Sequence, residues 1–142
     1  MSDQPYDPRL ITPSVYGHRR PVRGEVVALL HITFEERGLK LIQSRSRAMV
    51  EKEIHELMIT DEATAGPGGG ADRVSAIAFF EVEKGGLAVV GDDALLDGVR
   101  FGCVAGYDMT HMPNHMNVLV RSESLDRPPI RVGSKIVFSR PR

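Results

Sequence analysis

One cysteine, no tryptophan and only 6% aromatic residues occur in this chain of 142 residues. A lone thiol, Cys103, cannot close an intramolecular disulfide, which excludes a disulfide-stapled fold and predicts a reducing, cytoplasmic setting. Cys103 lies between Gly102 and Val104 in an apolar stretch, without a histidine beside it in sequence, so it is expected to act as a small core hydrophobe rather than a nucleophile. Charge of one sign is also missing: 18 basic against 19 acidic side chains leave a formal net charge of −1. No broad positive field therefore draws in nucleic acid or an anionic membrane. The short basic run His18-Arg19-Arg20 with Arg23 has no interleaved aromatics to stack on bases and reads as a solvated or subunit-contacting turn. Long apolar runs are absent as well. The longest, at 26–34 and 76–80, fall far short of the roughly 20 residues that cross a bilayer as a helix, and no basic start leads into a signal core.

What remains fits one ordinary domain, since a chain of this length buries roughly 70% of the surface its unfolded form exposes. Pro5, Pro8, Pro13 and Pro21 fix φ and remove donors across residues 1–21, predicting an extended arm suited to docking on another copy of the chain. The single domain then covers 22–142. Residues 22–34 are rich in β-branched side chains, with Val26, Ala28, Leu30, Ile32 and Phe34 on one expected face and Val27, Leu29, His31 and Thr33 on the other. Residues 35–38 look like a hairpin turn into 39–42. Over 44–59 the apolar period changes: Val50, Ile54, Leu57 and Met58 recur at helical spacing, which predicts one amphipathic helix. The alternation Met49, Glu51, Glu53, His55, Leu57, Ile59 also permits a strand over its second half. On the helical reading His55 falls on the charged side and pairs at the surface with Glu51.

Residues 63–72, which include Gly68-Gly69-Gly70, form the low-complexity segment and predict a flexible loop. No lysine followed by serine or threonine comes after these glycines, so they do not make a phosphate cradle. Beyond them, 74–83 and 87–90 flank Gly85-Gly86 as an expected hairpin. A strand over 99–109 presents Val99, Phe101, Cys103, Ala105 and Tyr107 on one face, 117–121 pairs with it, and 136–138 closes the fold. About seven short strands, one helix and hairpin-length connections predict a mainly β (α+β) domain, a small antiparallel barrel or sandwich.

Chemistry concentrates in residues 108–117, DMTHMPNHMN. Proline and asparagine at 113 and 114 suit a β-turn, which would bring His111 and His115 face to face. Asp108 can complete a two-histidine, one-carboxylate set for a divalent metal such as zinc, iron or manganese, with open positions for water and substrate. Two other readings accompany it. In one, Asp108, Asn114 and Asn117 satisfy backbone donors in a polar turn; in the other, a metal-free polar pocket uses a histidine as acid or base. Met109, Met112 and Met116 read as a flexible apolar lid or a subunit contact, and less readily as a copper(I) site.

Glu81, at the end of the apolar run 77–80, and His31 are the candidates for moving a proton. Asn114, Asn117 and Arg121 are the candidates for binding a ligand, with Arg100 as a further group to neutralise an anion. Two functions follow. One is a metal-assisted enzyme for hydrolysis, hydration or isomerisation of a small polar metabolite. The other is a non-catalytic small-ligand-binding or homo-oligomeric assembly domain that uses the 108–117 loop.

Overall fold

A computed structural model describes residues 18–141; most of the expected arm, 1–17, lies outside the described residues. Eleven strands occur among them and no residue is helical. They are β1 (Val22–Phe34), β2 (Leu39–Lys40), β3 (Ser46–Met49), β4 (Ile54–Thr60), β5 (Gly70–Ala71) and β6 (Val74–Lys84). The second half of the chain adds β7 (Gly86–Val89), β8 (Asp93–Leu96), β9 (Val99–Asp108), β10 (Asn117–Arg121) and β11 (Lys135–Ser139).

Seven strands are hydrogen-bonded in the order β1-β11-β8-β9-β10-β4-β6, and β6 pairs back with β1, so the sheet closes into a ring. The chain is mainly β, as expected, but the sheet is mixed. Every neighbouring pair in the ring is antiparallel except β4 and β10, which run parallel with Asn117 opposite Glu56 and Arg121 opposite Thr60. Two short ribbons, β2–β5 and β3–β7, complete the fold.

All seven ring strands contribute to one enclosed core, which contains Val26, Leu57, Phe80, Leu96, Tyr107, Val118 and Phe138. A second apolar layer lies on the outer face, where Leu39, Leu41, Ala65 and Ala71 cover Met58, Val74, Ala105 and Leu119. Strand parity explains the division. Leu57 and Ile59 enter the inner core while Met58 joins the outer layer, and Val118 and Val120 likewise oppose Leu119. Both faces of β4 and β10 are thus buried at Leu57–Ile59 and Val118–Val120, which accounts for the continuous apolar triplets there.

The helix expected over 44–59 does not form. Residues 46–49 pair with β7, a turn at 50–53 places Lys52 at φ 76°, and β4 follows. The alternating reading of the second half is the one realised, with His55, Leu57 and Ile59 buried. Neither early hairpin forms: β2 pairs with β5 rather than β1, and β7 pairs with β3 rather than β6. Register shifts also break the expected continuous faces. On β1, shifts at Val26/Ala28 and Leu29/Ile32 send Val26 to the inner core and Leu30 and Phe34 to the outer layer, while Ile32 remains 49% exposed. On β9, the shift opposite Leu119/Val120 puts Val104 and Tyr107 inside and Ala105 outside.

The glycine-rich segment is tied to its surroundings. Gly70 pairs with Lys40, Gly68 donates to the Ile42 carbonyl at 3.1 Å, Gly69 accepts from Leu41 at 2.9 Å, and Ala65 and Ala71 are buried. Arg19 of the basic run makes a bidentate ion pair with the buried Asp92, which corrects its reading as a solvated residue. No helix among the described residues is long and apolar enough to cross a membrane.

Candidate functional site

The parallel pairing of β4 with β10 positions the site. It sets one row of outward-facing residues across four strands: Asp108 on β9, Asn117 on β10, Glu56 on β4 and Phe79 on β6, each opposite the next. Residues 109–116 connect β9 to β10 and fold back over this row. A turn at 111–114, in which Asn114 N–H donates to the His111 carbonyl at 2.9 Å and the Met112–Pro113 peptide is cis, reverses the chain. Pro113 and Asn114 thus occupy the last two positions of the turn rather than its central two.

His111 and His115 come together, with ring centroids 5.1 Å apart and planes 25° from parallel. The edge of Phe79 meets the His115 ring at 5.3 Å. His115 Nδ1 lies 2.7 Å from Asn114 Oδ1, and its Nε2 lies 3.3 Å from Glu56 Oε1. The latter approach is close, but its geometry is not that of a hydrogen bond, and His115 Nε2 is buried without a hydrogen-bond partner. Asn117 is fully buried, and neither its Oδ1 nor its Nδ2 has a partner. The reading of Asn117 as a satisfied turn residue is therefore wrong.

Asp108 behaves differently. Its Oδ2 accepts from Lys40 N–H and its Oδ1 from Thr110 N–H, both at 2.9 Å. Burial alone would raise its pKa, but the Thr110 and Lys40 donors outweigh burial and hold the carboxyl below its ordinary value. This carboxylate ties β2 to the start of the loop, as the polar-turn reading expects. No group of three or more His, Cys, Asp or Glu that could hold a metal ion occurs among the described residues. The predicted set of Asp108, His111 and His115 is corrected accordingly: the imidazoles meet each other, but the acid is committed elsewhere.

Other expected participants are dispersed. His31 is exposed on the irregular part of β1. Glu81 is half-buried two residues beyond Phe79, opposite Glu25 and Ile54. Arg121 occupies the far end of β10, where Nη1 donates to the Ala65 carbonyl at 2.9 Å and Nη2 to Cys103 Sγ at 3.4 Å. The methionines also separate: Met116 is fully buried in the inner core, Met109 packs against that core, and Met112 is 37% exposed.

Sequence reasoning missed Glu56, Phe79 and the role of His55. His55 is buried, not a surface partner of Glu51; its Nδ1 accepts from Met116 N–H at 3.1 Å and its Nε2 faces Glu53 Oε1 at 3.3 Å. Burial lowers its pKa, opposed in part by Glu53. Glu56 N–H donates to the Met116 carbonyl at 2.9 Å, so β4 holds both polar groups of the Met116 backbone and anchors the end of the loop. The alternation at 55, 57 and 59 was the available signal for His55; none in the sequence links Glu56 to Asn117.

No curated protein and no solved structure matches the chain. With residues 16–138 matched by the family's model, the chain belongs to DUF6917, a family of unknown function.

Proposed function

We propose that this chain is a metal-free binding domain for a small polar metabolite, held between the 109–116 loop and the outer face of β4 and β10 by Glu56, Asn117 and His115. One observation carries the reading. Three buried polar atoms, Asn117 Oδ1, Asn117 Nδ2 and His115 Nε2, have no hydrogen-bond partner; His115 Nε2 lies 3.3 Å from Glu56 Oε1, and Asn117 is the register neighbour of Glu56 on the adjacent strand. A buried unsatisfied group costs about 1–3 kcal/mol, so folding alone gives no reason to retain them. A ligand offering both a donor and an acceptor, such as an amide, a urea or a pair of hydroxyls, satisfies the carboxamide and the carboxylate together. Its binding is selective because an analogue lacking either group leaves the site unpaired. Phe79 supplies an aromatic wall, and the His111–His115 stack forms the solvent side.

In this reading the ring of strands is a small barrel whose enclosed core is structural and whose outer face does the binding. Titration of ¹⁵N-labelled protein with small amides, ureas and polyols tests it. The expected result is saturable shifts concentrated at residues 54–57, 79 and 108–118, abolished by Glu56→Gln and Asn117→Leu in variants that keep folded spectra. Shifts confined to other regions, or binding unchanged in both variants, would overturn the proposal.

A further inference from the structure

The outer face of β9 and β10 carries a concavity at the end away from Asn117, past Leu119. A cleft of about 570 Å³ is lined by Arg100, Cys103, Arg121, Ser122, Glu123 and Ser124. Cys103 and Arg121 are register partners across β9 and β10, which sets the thiol beside one guanidinium. A volume of this order fits a metabolite rather than a lone ion.

A ligand in this cleft would meet two guanidinium groups that are only partly engaged. Arg121 is half-buried and held by the Ala65 carbonyl and Cys103 Sγ, which fixes its guanidinium plane and leaves further N–H groups uncommitted among the described residues. Arg100 engages Asp93 Oδ1 through Nε at 2.8 Å, leaving both terminal amino groups uncommitted among the described residues. Each fork is thus pre-oriented by a separate contact, which lowers the entropy lost when it engages a ligand. Ser122 is anchored by its backbone N–H to the Thr60 carbonyl at 2.8 Å, and Ser122 and Ser124 add hydroxyls to the wall. The lining holds two cations, Arg100 and Arg121, and one anion, Glu123, and Asp93 beside it offsets part of the Arg100 charge, so what an anionic guest finds here is the uncommitted N–H groups of the two forks rather than a net positive charge.

We propose that this cleft is a second binding site, separate from the one beneath the 109–116 loop, and that it takes the oxyanion group of a small metabolite, a carboxylate or a phosphate, on the paired forks of Arg100 and Arg121.

The chain's single cysteine lines this cleft and provides the readout. The rate of Cys103 alkylation by iodoacetamide is measured at constant ionic strength against increasing inorganic phosphate, succinate, and uncharged succinamide as control. Saturable, severalfold slowing by phosphate or succinate but not by succinamide is expected, and the more effective anion identifies the oxyanion. Arg100→Ala, at a side chain 58% exposed, should keep the thermal midpoint and weaken apparent protection about tenfold or more, as loss of a charged hydrogen-bonding partner implies. Arg121→Lys, which keeps the charge but removes the fork, should weaken it as well. Absence of saturable protection by both anions, equal protection by succinamide, or protection unchanged in both variants would overturn the proposal.

Discussion

Replacing Asn117 with leucine should stabilise the protein while abolishing the proposed ligand binding. The native carboxamide is fully buried with both polar atoms unpartnered, a condition that costs about 1–3 kcal/mol. Leucine removes that cost and adds apolar burial of about 1.5–3 kcal/mol. Against these stands a misfit of about 1–3 kcal/mol, because the branched side chain must fit a site shaped for an amide. The central values of these terms leave a net gain of about 2 kcal/mol, which in a chain of this size raises the thermal midpoint by about 4–8 °C. Aspartate at the same position gives the opposite result. Its register neighbours are Asp108 and Glu56, so Asn117→Asp would bury a third carboxylate between two others and destabilise the fold by several kcal/mol near neutral pH, with partial recovery in acid as the new group protonates. Calorimetry and urea unfolding of the three proteins measure both effects. A leucine variant less stable than the parent by more than about 1 kcal/mol, a loss typical of a broken buried hydrogen bond, would mean that Asn117 is satisfied in the native state and would refute the reasoning behind the proposed site.

Further predictions concern groups that support the loop and the ring. Burial holds the pKa of His55 below its ordinary value, and its neutral Nδ1 accepts from Met116; stability from this group should be fully present above about pH 6.5 and lost as pH falls through the lowered folded value. Urea midpoints followed from neutral to acid pH should therefore decline less steeply in His55→Leu, and parallel declines would contradict the assignment. Asp92→Asn breaks an ion pair whose side chains are 11% and 1% exposed and should cost about 3–5 kcal/mol, whereas a loss too small to resolve by urea unfolding would show the pair to be dispensable. Gly102→Ala would place a Cβ against the Arg121 carbonyl oxygen and 2.7 Å from Val120 Cγ1. Because the first obstacle is backbone, β9 and β10 must separate, at a cost of about 1–3 kcal/mol or more; unchanged stability would refute the close approach at that point.

The strands were legible wherever alternation and local turn chemistry agreed. Residues 117–121 pair with β9 and 135–139 close the ring; Val118 and Val120 alternate in the first segment, and the apolar Ile136 and Phe138 alternate in the second. The helix over 44–59 was a coincidence of spacing, since Leu57 and Met58 stand on opposite faces of one strand that is buried on both sides. A strand of that kind and a buried helix share the same apolar richness, and only the turn around Lys52 separates the two readings. The hairpins failed for another reason. β2 and β7 are adjacent in sequence to β1 and β6 but find their partners in β5 and β3, and local turn signals carry no information about such captures. At the site, proline and asparagine correctly announced the turn that stacks His111 on His115. The isolation of Asn117 and the approach of Glu56 depend on a parallel pairing between segments some sixty residues apart, as Met116 and His55 illustrate, and no motif in either segment encodes that pairing.

Closure of the ring has a consequence for how the polypeptide is made. β1 can meet β6 while synthesis is under way, but its other neighbour arrives late: Glu25 and Lys135 lie 110 positions apart. At about 5–20 residues per second the ribosome needs roughly 5–20 s to bridge that interval. Throughout it, one flank of β1 offers unpaired amides and carbonyls to any extended segment nearby. Arg23 and Glu25, which later face Val137 and Lys135, put charge on that flank in the meantime and discourage association between nascent chains. Changes in β11 should therefore lower soluble yield in cells more than equilibrium unfolding of the finished protein would suggest.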